Sequence, residues 1–458
     1  MEMRAMRRRM ALITALGVLA VGAAACGGGD NDDGSATTTT SGVAGETPPT
    51  PATESETGFK PAPPEPGTEI PQVEVTFGQR PYADNSFLMI AMEQGWFEDA
   101  GIEVKPAPYG IKNSDNAVAM MLKKQVDIQA MFAPTLIPTM KSDQSLKQIA
   151  LTHLFGGWAI FASPDLGLKS VNDHMKDGLD FEAAMKATLE PLAGQELVVA
   201  PLVDARGFVR LSFEIAGVQQ PKLKVLDDAK SLVLAKSKRV KFAVPTGAPI
   251  TLSFQKLGYT TLVTPFDILD NMPGDPKGEH ELLVQNVGLA SNDEFINANP
   301  NTILRTMGVT WRTLDAIKKD PQKQLSLYAP YLNSVAGTDL AWEDIDGLFN
   351  GLTPMIQFED LPKYCTDEQG TLFYRNAYGA ILADYVEQGL IPDKFKPDDL
   401  IWACQVYEVA KWYKDQAEEK IAQAKSGTGD QALVAKAEEL LAQFDFLDAY
   451  RYAVAAAA

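Results

Sequence analysis

Histidine is scarce in this 458-residue chain. His153, His174 and His280 are the whole supply, and none stands at ligand spacing from another histidine or a cysteine, so no zinc-site pattern is present. A phosphate-cradling glycine loop and a Gly-x-Ser-x-Gly nucleophile elbow are also missing from the sequence. Asp30-Asn31-Asp32 begins like a calcium loop, but its glycine comes early and no glutamate stands at the twelfth position, so biased composition explains it. Asp227 and Asp228 are adjacent and would point about 100° apart on a helix, which suits a cap and its solvated neighbour. What remains is a non-covalent set. The aromatic residues Tyr82, Tyr109, Phe132, Phe155 and Trp158, with the polar residues Gln79, Asn85, Ser86, Thr135, Asp204, Arg206 and Thr246, fall near the ends of predicted strands. Rings, amides, hydroxyls and a guanidinium so placed can hold a small molecule, and they call for no metal or cofactor. Each aromatic taken alone is more often a core residue than a ligand platform.

The elements that must position this set are strand-then-helix units. Residues 73–78 alternate apolar and polar with β-branched residues and read as a strand, with 79–86 as the loop after it. From Phe87 the apolar residues Met89, Met92 and Trp96 recur at near-helical spacing; Ser86 can cap this helix and Gly95 can stop it. Strands follow at 102–104 and 126–130, with Asp115 or Asn116 capping the helix between them. Further strands are predicted at 148–151, 158–161, 196–200, 222–226 and 240–244, and Asp180 caps a helix over 181–189. Residues 204–207 read as a loop opening a helix over 208–216. There Arg206 would add its charge to backbone donors that already favour an anion, with pairing to Asp204 as the plainer alternative. Open α/β sheets bind ligands outside the carboxyl ends of their strands, which is where these loops lie.

Residues 90–104, IAMEQGWFEDAGIEV, and 117–134, AVAMMLKKQVDIQAMFAP, resemble segments of the nitrate/sulfonate/taurine-type substrate-binding proteins of bacterial ABC transporters, a family that also includes thiamine-pyrimidine-precursor-like members. The similarity runs patchily over 73–392. Gln125 departs from the family's glycine, Gln195 from its lysine, and Lys241-Phe242-Ala243 from its aspartate-containing strand. The resemblance implies an α/β protein of the type II periplasmic-binding-protein-like class, with two α/β lobes and two crossover segments. Under it the chain divides into a signal peptide (1–25), a disordered tether (26–72), the first part of lobe 1 (73–156), lobe 2 (157–288), the lobe 1 return with closing helices (289–398) and a C-terminal helical extension (399–458). Two amphipathic helices, 400–425 and 431–447, are expected in that extension. The implied function is to capture a sulfonate-, aromatic- or pyrimidine-like solute between the lobes and deliver it to ABC permease subunits, as a monomer and not as an enzyme. A thiamine-pyrimidine-synthase-like enzyme and a surface receptor or adaptor are the rival readings.

Charge and cysteines bound the setting. The formal charge is −19, and residues 1–25 carry four arginines against Glu2, so the remainder is still more acidic. That argues against nucleic acid and anionic lipid surfaces as partners of the body. The arginines, an apolar core over 11–21 and small residues before Cys26 form an export signal resembling a bacterial lipobox. Its apolar run is far short of the roughly 20 residues of a membrane span. Cys26 is therefore the expected lipidation site, anchoring the chain to the extracytoplasmic face of the cell membrane. In that oxidising setting Cys365 and Cys404 are a disulfide candidate, with two buried thiols as the alternative.

Overall fold

The computed structural model describes residues 59–113, 116–201, 203–272 and 283–458, and does not describe the side chains of Val203, Asp204, Ala229 and Ala248. The expected signal peptide, Cys26, most of the tether, Asp115 and His280 lie outside the described residues.

Two sheets organise the chain. The first contains β1 (Val73–Gln79), β2 (Ile102–Lys105), β3 (Ile111–Lys112), β4 (Ile128–Phe132), β5 (Leu146–Gln148) and β6 (His153–Phe155). The second contains β7 (Ile160–Ala162), β8 (Glu196–Val199), β9 (Lys222–Val225), β10 (Phe242–Val244) and β11 (Thr260–Val263). Strand β12 (Gln285–Asn292) then returns to the first sheet. The spatial orders are β2-β1-β4-β12-β5 and β9-β8-β10-β7-β11, and in each the strand entering from the other lobe runs antiparallel to its neighbours. The two lobes thus repeat one topology, that of the type II binding-protein class. The first crossing is the short span between β6 and β7. The second lies between β11 and β12, so the chain is back in the first sheet by Gln285.

Strand β12 explains how tightly the first sheet closes. All eight of its residues are buried, although its polar Gln285, Asn286, Ser291 and Asn292 disguise it as a surface strand. A Cβ at Gly288 would overlap the carbonyl oxygen of Ala150, and that close approach lets the Ile149 amide bond the Leu289 carbonyl at 2.7 Å. Only glycine suits this position.

Several local expectations need correction. A single helix from Phe87 is replaced by short helices at Ala83–Ser86 and Met89–Glu93, and Ser86 ends the first of these rather than capping a second. Strand β4 begins at Ile128 because Asp127 turns its carboxylate to the Thr76 amide, 2.8 Å away. The helix expected from Phe208 begins at Val203, so Arg206 sits within it. Asp180 caps Phe181–Leu189, accepting from the Ala183 amide at 2.8 Å.

The extension is three helices, Ala403–Ser426, Gln431–Ala442 and Phe446–Ala457. The break before the third falls at Phe444, whose φ is 63°. Its side chain packs on Phe358 and Phe446. All three helices share one hydrophobic core with the first lobe. The residues ahead of β1 join it: Phe59 is 2% exposed, and Tyr413 donates to the Pro61 carbonyl at 2.7 Å. The end of the expected tether therefore belongs to the folded body. A disulfide links Cys365 to Cys404 across 39 residues, with Cα atoms 5.1 Å apart. Closing a loop of that length is expected to contribute roughly 2–4 kcal/mol. Chemical denaturation of a Cys365→Ser/Cys404→Ser protein should show a loss of that size, and an unchanged midpoint would refute it.

Candidate ligand-binding cleft

A cavity of about 330 Å³ lies between the lobes. Parallel strands aim their carboxyl ends toward it. Past β1 come Arg80, Tyr82, Asp84 and Asn85; past β4, Phe132, Pro134, Thr135 and Pro138; past β8, Pro201; past β10, Thr246 and Gly247. The first crossing adds Phe155 and Trp158, β12 adds Val287, and the helix Tyr374–Glu387 adds Tyr385. The lobes approach closely at the rim: a Cβ at Gly247, where φ is 79°, would sit 3.3 Å from the Tyr82 ring.

Aromatic rings make the wall. Phe132 meets Phe155 edge to face at 5.5 Å, and Phe155 meets Trp158 in the same way at 5.0 Å, a favoured arrangement of ring quadrupoles. Trp158 is 1% exposed, yet its indole Nε1 has no hydrogen-bond partner. Across from it, Arg80 sets its guanidinium over Tyr82, 5.2 Å from the ring centre, and its Nε is buried without an acceptor. Asn85 donates to Asp84 Oδ1 at 2.8 Å, which leaves its own Oδ1 buried and unpartnered. Burial pushes the Asp84 carboxyl above its ordinary range, opposed by the Asn85 bond and by Arg80. Buried polar atoms left unpaired cost about 1–3 kcal/mol each. Three such atoms, two donors and one acceptor, belong to residues lining this one cavity.

Of the residues expected in the site, Tyr82, Asn85, Phe132, Thr135, Trp158 and Thr246 line the cleft. Gln79 does not; its amide donates to the Tyr109 carbonyl at 2.6 Å and holds the loop end. Ser86 is likewise committed, at 2.6 Å from the Tyr328 hydroxyl and 2.9 Å from the Tyr82 carbonyl. Arg206 is exposed on its helix and is not part of the lining, because the helix begins earlier than its sequence suggested. The side chain of Asp204 is outside the described residues. Thr246 gives its hydroxyl to Asp228 at 2.6 Å. Asp228 is therefore no solvated neighbour of the Asp227 cap but a half-buried carboxylate, pushed upward by desolvation, that fixes the loop after β10.

Arg80 and Asp84 lie inside the predicted loop but carried no distinguishing signal there. Tyr385 comes from a helix some 300 residues later in the chain, a placement no local pattern encodes.

No family model matches the sequence, and no curated protein matches it. Among solved structures, the chain is similar to the periplasmic aliphatic sulphonate binding protein SsuA from Escherichia coli, with a TM-score of 0.49 and 12% identity over 72% of this chain and 92% of that one. A second is the alkanesulfonate-binding protein SsuA from Xanthomonas axonopodis pv. citri bound to MOPS, with a TM-score of 0.49 and 11% identity over 73% and 99%. The periplasmic nitrate-binding protein NrtA from Synechocystis PCC 6803 follows with a TM-score of 0.48 and 13% identity over 74% and 89%.

Proposed function

We propose that this chain is an extracytoplasmic solute-binding lipoprotein, anchored through Cys26. In this reading it captures a flat, ring-bearing solute between its lobes and delivers it to the permease of an ABC transporter. One observation carries the choice of solute: Trp158 Nε1, Arg80 Nε and Asn85 Oδ1 are all buried and unpartnered in residues lining one aromatic-walled cavity. A solute with acceptor groups for the first two and a donor for the third would satisfy them, while its ring replaces water against Phe132, Phe155 and Tyr82. Asp84 beside Arg80 offsets the guanidinium charge, which disfavours a bare inorganic anion. The ring-bearing alternatives among sulfonate-, aromatic- and pyrimidine-like solutes fit best. Binding is the whole chemistry of this reading, and His153, the histidine nearest the cleft in sequence, is enclosed between Phe87 and Phe349.

A thermal-shift screen across aromatic carboxylates, aromatic sulfonates, pyrimidines, nitrate and sulfate tests the solute class. A ligand at a hundred times its Kd adds about 2.7 kcal/mol of stability. The best stabiliser should carry a ring, and Arg80→Gln should bind it roughly ten- to a hundredfold less tightly, the worth of a charged hydrogen bond. Nitrate or sulfate as the best stabiliser would refute the solute class, as would unchanged binding by Arg80→Gln. For the anchor, Cys26→Ser should release the protein from membranes; retention after a salt wash counts against lipidation.

A further inference from the structure

A second cavity, of about 500 Å³, lies at the seam between the first lobe and the C-terminal extension and shares no lining residue with the cleft. Its lining carries Arg305, Arg312, Lys436 and Arg451 against Glu69, Asp99, Glu439, Asp445 and Asp448, and the pairing among them is uneven. Arg305 forks onto Asp448, with Nε 2.8 Å from Oδ2 and Nη2 3.2 Å from Oδ1. Arg451 shares the same carboxylate: its Nε lies 2.7 Å from Asp448 Oδ1, but off line, so this buried donor has no aligned acceptor. One carboxylate thus serves two guanidiniums. The third, Arg312, sits over Trp96 with its guanidinium carbon 4.3 Å from the ring centre. Its hydrogen bonding is limited to Gln443 Oε1 at 3.5 Å; Asp99, Asp445 and Glu439 act on it through space, but no carboxylate among the described residues comes within ion-pair distance of it. Five N–H donors in a rigid fork are thereby set over an indole, half-buried and almost unused.

We propose that this seam cavity is a second ligand site that takes a small oxyanion, a carboxylate or a phosphate, on the Arg312 fork. Two parallel N–H···O bonds to such a group are the geometry a guanidinium favours, and the cation–π contact with the indole holds the fork in place before the ligand arrives. The site stands on the extension and its seam, so it is independent of the solute captured in the cleft.

Titration calorimetry of the full folded chain with citrate and with inorganic phosphate, at ionic strength held constant with sodium chloride, tests the assignment. One-to-one saturable binding of either probe is expected; citrate alone would identify a carboxylate site, and phosphate alone a phosphate site. Arg312→Gln should weaken that binding at least tenfold. Arg312→Lys should fall between, because it keeps the charge and loses the fork. Trp158→Phe, a cleft variant, should leave it unchanged. Should Arg312→Gln fail to fold, the Trp96 indole resonance of the wild-type protein decides: it should move during the titration. The proposal is overturned if neither probe saturates, if Arg312→Gln binds as tightly as the parent, or if the Trp96 resonance stays still.

Discussion

Replacing Asp448 with alanine is expected to destabilise the protein by about 3–5 kcal/mol, the cost of removing one partner from a buried ion pair. The carboxylate is 1% exposed, and the guanidiniums of Arg305 and Arg451, each 4% exposed, face it from two helices. Without it, both cations remain out of water. Arg451 keeps the Glu65 and Thr68 carbonyls at 2.9 and 3.1 Å, but these are neutral acceptors. Asp445 is the neighbouring carboxylate, and burial alone, the larger cause of its raised pKa, keeps it a poor substitute once Asp448 is gone. Exchanging Arg305 and Asp448 together for Met and Leu should recover much of the loss, because no unpaired charge is left at Arg305. Chemical denaturation measures both. A loss below 1 kcal/mol in Asp448→Ala would mean that the pair is not the clamp between helix Pro300–Lys319 and the last helix.

Acid should unfold the protein through His153. The ring is fully buried between Phe87 and Phe349, at centroid distances of 5.1 and 4.9 Å. Its Nδ1 is 3.1 Å from the Thr152 hydroxyl, and Nε2 has no partner. Burial lowers its pKa from 6.5 to about 3. Above pH 6.5 the ring is neutral whether the chain is folded or not. Between pH 6.5 and 3 only the unfolded chain takes the proton, so stability falls with pH by about 1.4 kcal/mol per unit. From pH 6.5 to 5 that amounts to roughly 2 kcal/mol, and across the whole window to nearly 5. Asp84 and Asp228, raised by burial, act in the opposite sense and gain stability as pH falls, so the histidine must be isolated by difference. His153→Phe should lose about 2 kcal/mol of the decline between pH 6.5 and 5. An identical decline in the variant would assign it to other groups.

The two lobes were legible because their strands carry local signals. The period-two pattern of 73–78, the apolar run of 196–200 and the cap at Asp180 are short-range physics, and they survive in the structure nearly as read. Strand β12 was harder. Its four buried polar residues occupy a central sheet position rather than an apolar face, and a single sequence does not distinguish that from exposure. The composition of the extension stays helical through residue 447 and so predicts two helices; the turn at Phe444 packs on the ring of Phe358, 86 residues earlier.

The site divides in the same way. Position relative to strand ends is a one-dimensional property, so Tyr82, Asn85, Phe132, Thr135, Trp158 and Thr246 could be named from the chain alone. Which side chains remain available to a ligand is decided by partners distant in sequence. Tyr328 takes Ser86, the Tyr109 carbonyl takes Gln79, and Asp228 takes the Thr246 hydroxyl. Helix Val203–Ile215 carries Arg206 outside the lining, while Arg80 becomes the guanidinium of the cleft. Sequence pattern alone determined where the loops of the cleft begin, because backbone periodicity is local. Only the tertiary structure decided which polar atoms there are left unpaired, because a hydrogen bond is made by whatever the fold brings within 3 Å.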